Sequence, residues 1–142
     1  MKINISSDHA GVELKAAITK YLITNYEVND LGPSSTESVD YPDYAHKLIE
    51  DMQTNNVPIS ILICGSANGV SMVANKYKDI RAAICWNKDI ADLARKHNNA
   101  NVLSLPARFI TESQAFEIVE TFLHTEFEGG RHLRRVNKIN CD

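Results

Sequence analysis

The residues of this chain best suited to chemistry sit where apolar runs break off. Ser60 to Lys76 reads SILICGSANGVSMVANK: a β-branched run ends on Cys64, turns through Gly65, Ser66, Ala67, Asn68 and Gly69, and reopens with helical spacing. A free thiol has a pKa of about 8.5, and the positive end of a helix with cationic neighbours lowers it, so a cysteine here could serve as a base or a nucleophile. Cysteine is also among the most buried residue types, so the same position could be a small hydrophobe closing a strand. The turn is not a dinucleotide fingerprint, because Gly65 and Gly69 are separated by three residues, and it lacks the Gly-Lys pair of a Walker loop. Val70 occupies the place an arginine would take in a C-x5-R phosphatase loop. What is left is a strand-turn-helix whose backbone N–H groups can hold an anion. Cys85 ends its own apolar run without a glycine turn and reads as a buried hydrophobe.

Other reactive groups recur at corresponding places. SSDHAG brings Asp8 and His9 after the first apolar run, DYPDY brings Asp40 and Tyr41 before the second helix, and PAR brings Arg108 after the fifth run. Asp8 could simply cap the helix that begins near Gly11, whereas an imidazole at His9 can donate to a phosphate. His97 continues the series Ile90, Leu93 and Ala94 and on pattern alone is a core or interface histidine, but the polar cluster HNNAN that it opens exceeds what a helix stop requires. In EGGRHLRRVNKI, Arg131 and Arg135 stand at i and i+4; on a helix their guanidiniums share one face and match a phosphate monoester. The plainer alternative is a solvated basic tail, which suits Arg134 and Lys138.

Five runs must position these groups: Ile3 to Ser6, Val28 to Leu31, Ile59 to Cys64, Ala82 to Cys85 and Val102 to Leu105, each followed by a segment with one apolar helical face. Strict alternation of strand and helix predicts an α/β fold with a five-stranded parallel sheet covered on both faces and joined by right-handed crossovers. Ligands of such sheets bind beyond the carboxyl ends of the strands, where Asp8, Cys64 and Arg108 fall. The irregular GPSSTESVDYPD reads as a loop over the sheet edge rather than a linker, so residues 1–142 are expected to form one domain.

The bulk composition narrows the classes. At 142 residues and 44% hydrophobic content the chain can build a core without a metal or disulfide staple. A net charge of -3 gives no general reason to expect nucleic acid or an anionic membrane as partner. Three cysteines without metal-type spacing favour a reducing compartment. No apolar run approaches the ~20 residues of a membrane span, and the N-terminus lacks a signal-peptide core. The reading is a cytoplasmic protein that binds neither nucleic acid nor membrane.

SSDHAG, DYPDYA, ILICGSANGVSMVANK, RAAICWN, ARKHNNANVLSL, PAR and FEGGRHLRRV, in this order and spacing, resemble the ribose-5-phosphate isomerase B family, which includes allose- and galactose-6-phosphate isomerases. The resemblance covers essentially the whole chain. It implies a Rossmann-like three-layer αβα sandwich, a homodimer or dimer of dimers with shared sites, no metal or other cofactor, and aldose–ketose isomerisation of a phosphorylated sugar in the pentose phosphate pathway. Cys64 then corresponds to the proton-transferring base, Ser66 and the segment Gly65, Ala67, Asn68 and Gly69 to the groups around the enediolate, and His97 to the ring-opening acid-base. Asp8, Tyr41 and Asn98 correspond to sugar contacts; His9, Arg108, Arg131 and Arg135 correspond to phosphate contacts, which makes 129–142 a phosphate-binding and dimer-contacting tail. The glutamate that replaces the cysteine in another branch would fall at Val70 and is absent. Ala67 stands where glycine is common, which calls for a backbone open to a Cβ, and Asn99 stands where aspartate is common. The alternatives are an isomerase of a six-carbon sugar phosphate and a non-catalytic sensor on the same fold; retention of both Cys64 and His97 favours an enzyme. A helix from Asn87 to His97 runs roughly 15 Å away from the ligand face, so His97 is expected to reach Cys64 only from a two-fold partner.

Overall fold

The structure, a computed structural model, describes residues 1–141. In chain order it contains β1 (Lys2–Ser7), α1 (Val12–Leu22), β2 (Glu27–Asp30), α2 (Tyr41–Thr54), β3 (Ile59–Cys64) and α3 (Asn68–Ala74). There follow β4 (Ala82–Ile84), α4 (Lys88–Asn98), β5 (Val102–Pro106), α5 (Glu112–His124) and α6 (Arg131–Val136). All strand pairs are parallel, in the order β2-β1-β3-β5-β4. The α/β sandwich expected from the alternation is therefore present, with β5 inserted between β3 and the edge strand β4. No helix is long and apolar enough to cross a membrane among the described residues.

Strand side chains alternate between the two faces. Ile3, Ile5, Ile61, Ile63, Leu103 and Leu105 point to one core with Ile18 and Leu22 of α1, Ala91 and Ala94 of α4, and Ile118 and Phe122 of α5. Leu62, Cys64 and Val102 point to the other, against Leu48, Ile49 and Met52 of α2 and Val70 and Ala74 of α3. Central strands apolar on both faces are what a parallel sheet under two helical layers requires. At Asn4 a polar side chain is admitted because both its polar atoms are hydrogen-bonded: its amide donates to Asp51 Oδ1 (2.8 Å) and its Oδ1 accepts from Asn29 (3.1 Å).

The helix ends follow from local chemistry. Asn87 Oδ1 accepts from the Ile90 N–H at the start of α4, and Thr111 and Gln114 form a reciprocal capping box on α5. Asn99 ends α4 in the left-handed region (φ 46°), a conformation asparagine tolerates, which gives this residue a structural reason. Two expectations need correction. The buried stripe of α4 is Ala91 and Ala94, with Leu93 42% exposed, because α4 packs closely on α5 through its small residues. β4 stops at Ile84, so Cys85 lies just beyond the strand, fully buried, and burial pushes its thiol up to about 12.

Candidate functional site

The chain runs outward from β1 to β2 in one direction and from β3 onward in the other, so the carboxyl ends of β1 and β3 flank the crevice where the sheet order reverses. The Asp8 N–H donates to the Ile63 carbonyl across this switch point (3.0 Å). Asp8 Oδ1 accepts from the Ala10 (2.9 Å) and Gly11 (3.2 Å) N–H groups, so the carboxylate does cap the short turn His9–Gly11. Its Oδ2 keeps no hydrogen bond within the described residues. The turn sits tight on β3: a Cβ on Gly11 would lie 2.6 Å from Ile63 Cγ2. His9 Nδ1 accepts from the Val39 N–H (3.2 Å), which in the neutral ring leaves the proton on Nε2, free to donate outward.

Cys64 closes β3 and is 5% exposed. The loop after β5 is tied to it, with Ala107 N–H donating to the Cys64 carbonyl (2.9 Å) and Arg108 N–H to that of Gly65 (3.1 Å). The Arg108 side chain consequently lies over the turn, close enough that a Cβ on Gly65 would come within 3.1 Å of Nη1. A Cβ on Gly69 would come within 2.5 Å of the Tyr41 ring, so α2 delivers Tyr41 to the same turn. The N–H groups of Gly65, Ser66 and Ala67 find no acceptor in the described chain, while that of Asn68 donates to Ser66 Oγ (3.3 Å). Ala67, with φ 65° and ψ -2°, occupies the left-handed region rather than the Cβ-compatible backbone expected for it. Its methyl is fully buried and its carbonyl accepts from Ser71 Oγ (2.7 Å), contacts that offset a strain of about 1–2 kcal/mol.

A second group gathers at the other end of the sheet. His97 lies in the last turn of α4, half-buried, and stacks on the buried His132 of α6, with centroids 4.2 Å apart and planes at 13°. The Glu128 N–H donates to the Lys96 carbonyl (3.2 Å), and Glu128 Oε2 lies 3.9 Å from His132 Nε2. Burial, then the charges of His97 and Arg131, hold His132 below the ordinary histidine range. Arg131 and Arg135 share one exposed face of α6, and Asn98, next to His97 in the chain, is exposed. His97, Glu128 and His132 place ligand atoms within 4.8 Å of one another. Imidazole lone pairs lie in the ring plane, however, and two nearly parallel planes do not converge on one ion, so the cluster is not a preformed metal centre.

The expected site residues thus fall into two sets. Asp8, His9, Tyr41, Cys64, Gly65, Ser66, Ala67, Asn68, Gly69 and Arg108 converge at the switch point. His97, Asn98, Arg131 and Arg135 do not join them. Asn101, just after α4, accepts from the Ser60 N–H at the start of β3, whereas Cys64 pairs with Pro106 at the end of β5. The four register steps between separate the sets by about 13 Å. His132 and Glu128 carried no signal of their own, since a histidine between arginines acquires meaning only from the helix it stacks on.

The model for the Ribose/Galactose Isomerase family matches residues 3–139. A probable ribose-5-phosphate isomerase B of Mycoplasma pneumoniae is 48% identical over 96% of this chain and 91% of its own length. Ribose-5-phosphate isomerase B of Escherichia coli is 40% identical over 99% and 95%. Among solved structures, a ribose 5-phosphate isomerase of Thermotoga maritima superposes with a TM-score of 0.95 at 53% identity, covering 97% of this chain and 96% of that one. Ribose-5-phosphate isomerase B of Mycoplasma genitalium with bound ribulose-5-phosphate superposes with a TM-score of 0.93 at 46% identity, covering 97% and 93%.

Proposed function

The chain belongs to the Ribose/Galactose Isomerase family, and on that premise we propose that it interconverts ribose 5-phosphate and ribulose 5-phosphate through an enediolate, with Cys64 as the base. The observation that carries this reading is the placement of a nearly buried thiol beside three unpaired backbone N–H groups, with Arg108 over the same turn. Relatives named for this activity, one with ribulose-5-phosphate bound, supply the substrate.

Cys64 as thiolate takes the proton from C2 of the open-chain aldose, and the electron pair moves through the C1 carbonyl to leave negative charge on O1. Amides of Gly65, Ser66 and Ala67 are fixed before reaction and aimed where that charge develops, so no reorganisation opposes it. Return of the proton to C1, with the O2 proton passing to O1, completes the ketose. The Cys64 thiol and the Ser66 hydroxyl are the groups in reach of these transfers. Asp8, through Oδ2, and Tyr41 border the sugar, and His9 presents Nε2–H to a phosphate.

The cyclic substrate must first open, which breaks C1–O4, protonates O4 and removes the hydroxyl proton at C1. His97 is assigned this acid-base role, with Asn98 as a sugar contact and Arg131 and Arg135 holding the phosphate. Because these four lie about 13 Å from Cys64 within one chain, the reading includes a two-fold dimer in which each chain completes the other's site. The segment 129–142 is then both phosphate-binding and partner-contacting. The assay is ribose 5-phosphate turnover set against allose and galactose 6-phosphates. Turnover confined to a six-carbon substrate would replace the substrate assignment, and binding without turnover on all three would make the protein a sensor.

A further inference from the structure

We propose that His132 is a positioning residue for His97, its buried ring forming the plate on which the His97 imidazole is held in register for opening the sugar ring. The proposal rests on the assignment of His97 to ring opening given above. Its basis is geometric: the rings are 4.2 Å apart and 13° from parallel, and His132 is 6% exposed whereas His97 is only half-buried. An unsupported imidazole in the last turn of a helix samples several rotamers. One face of His97 instead lies against a ring that is itself buried.

The backbone that carries the plate is tied at two points. The Glu128 N–H bond to the Lys96 carbonyl ties the connector to the end of α4, and the backbone N–H of His132 donates to the Gly129 carbonyl (3.0 Å) at the start of α6. The charged and titratable groups around the His132 ring are His97 from α4, Glu128 from the connector, and Arg131 and Arg135 from α6. Burial first, then the charges of His97, Arg131 and Arg135, favour the neutral ring, while Glu128 opposes them. A neutral plate suits its task, because it places no charge against the face of the His97 ring. Arg131 and Arg135 flank His132 in the same short helix, so one element sets both the phosphate position and the His97 ring.

The test uses four variants of the full chain, each assayed for kcat and KM with ribose 5-phosphate and for its unfolding temperature. His132→Ala removes the plate, His132→Phe keeps a flat ring that cannot titrate, and His132→Asn keeps polarity without a ring. His97→Ala is the reference for loss of the acid-base group itself. Misplacing a reacting group by about 1 Å costs up to about 100-fold, so His132→Ala is expected to lose about 10- to 100-fold in kcat with KM changed less than about 3-fold. His132→Phe should recover to within about 5-fold of the unmodified protein, and His132→Asn should not, even where its unfolding temperature is unchanged. Unaltered kcat in His132→Ala, equal losses in the Phe and Ala variants, or a rise in KM alone would each overturn the positioning role. Where His132→Ala does not fold, the Phe and Asn pair decides. If His97→Ala itself retains full kcat, the ring-opening assignment fails, an outcome distinct from any result at His132.

Discussion

The two-set arrangement makes one prediction that needs no further structure. Cys64→Ala and His97→Ala proteins, each nearly inactive, are unfolded together, refolded as an equimolar mixture and assayed with ribose 5-phosphate. Within one chain the two residues are separated by about four strand steps of 3.3 Å, or about 13 Å, well beyond the span of C1, C2 and O4 in one pentose. If each site combines Cys64 of one chain with His97 of the other, a mixed dimer carries one site with both residues and one with neither. Random pairing makes about half the dimers mixed, so recovery should reach roughly a quarter of the unmodified activity. Native mass spectrometry confirms that mixed dimers have formed. Mixed dimers present without recovered activity would refute the shared site and leave His97 as a packed residue unrelated to Cys64.

Other expectations follow from single residues. Cys64→Ala should abolish nearly all turnover with substrate affinity changed only a few fold, whereas Cys85→Ala should alter stability and leave turnover intact, as read by kcat and thermal unfolding of both. Arg131→Ala and Arg135→Ala should each cost about 1.5–3 kcal/mol, seen chiefly as raised KM, while Arg134→Ala should not; equal behaviour of all three would reduce α6 to a solvated tail. Gly11→Ala should destabilise by about 1–3 kcal/mol, because the new Cβ meets Ile63 Cγ2 at 2.6 Å and Ser7 Cβ at 2.9 Å, and an unchanged denaturant midpoint would contradict that packing. Burial raises the folded Cys85 thiol to about 12. Its contribution to stability is therefore fully present below the unfolded value of about 8.5 and is lost as pH rises from there toward 12, so urea unfolding across that interval should show a decline that Cys85→Ala reduces.

The alternation of apolar runs with helical faces was enough to determine that there are five parallel strands and, to within a residue, where they end, since an unbroken apolar run and a period of 3.6 are local properties of the chain. Asp8, Cys64 and Arg108 were legible as residues at the carboxyl ends of strands for that reason, and the common face of Arg131 and Arg135 needed only the helical repeat. Strand order was not legible, because insertion of β5 between β3 and β4 depends on which edges fit after the crossovers form. The left-handed turn at Ala67 was also hidden: its strain is offset by burial of the methyl and by the Ser71 hydrogen bond, neither of which has a sequence signature. The face of α4 was misjudged at Leu93, because packing of α4 against α5 through Ala91 and Ala94, and not hydrophobicity alone, decided which side turned inward. The stack of His97 on His132 joins residues 35 positions apart through two helices and a glycine turn. Sequence determined the chemical groups and their periodic placement; only tertiary packing decided which of them share a face, because contact between distant segments depends on how whole elements dock.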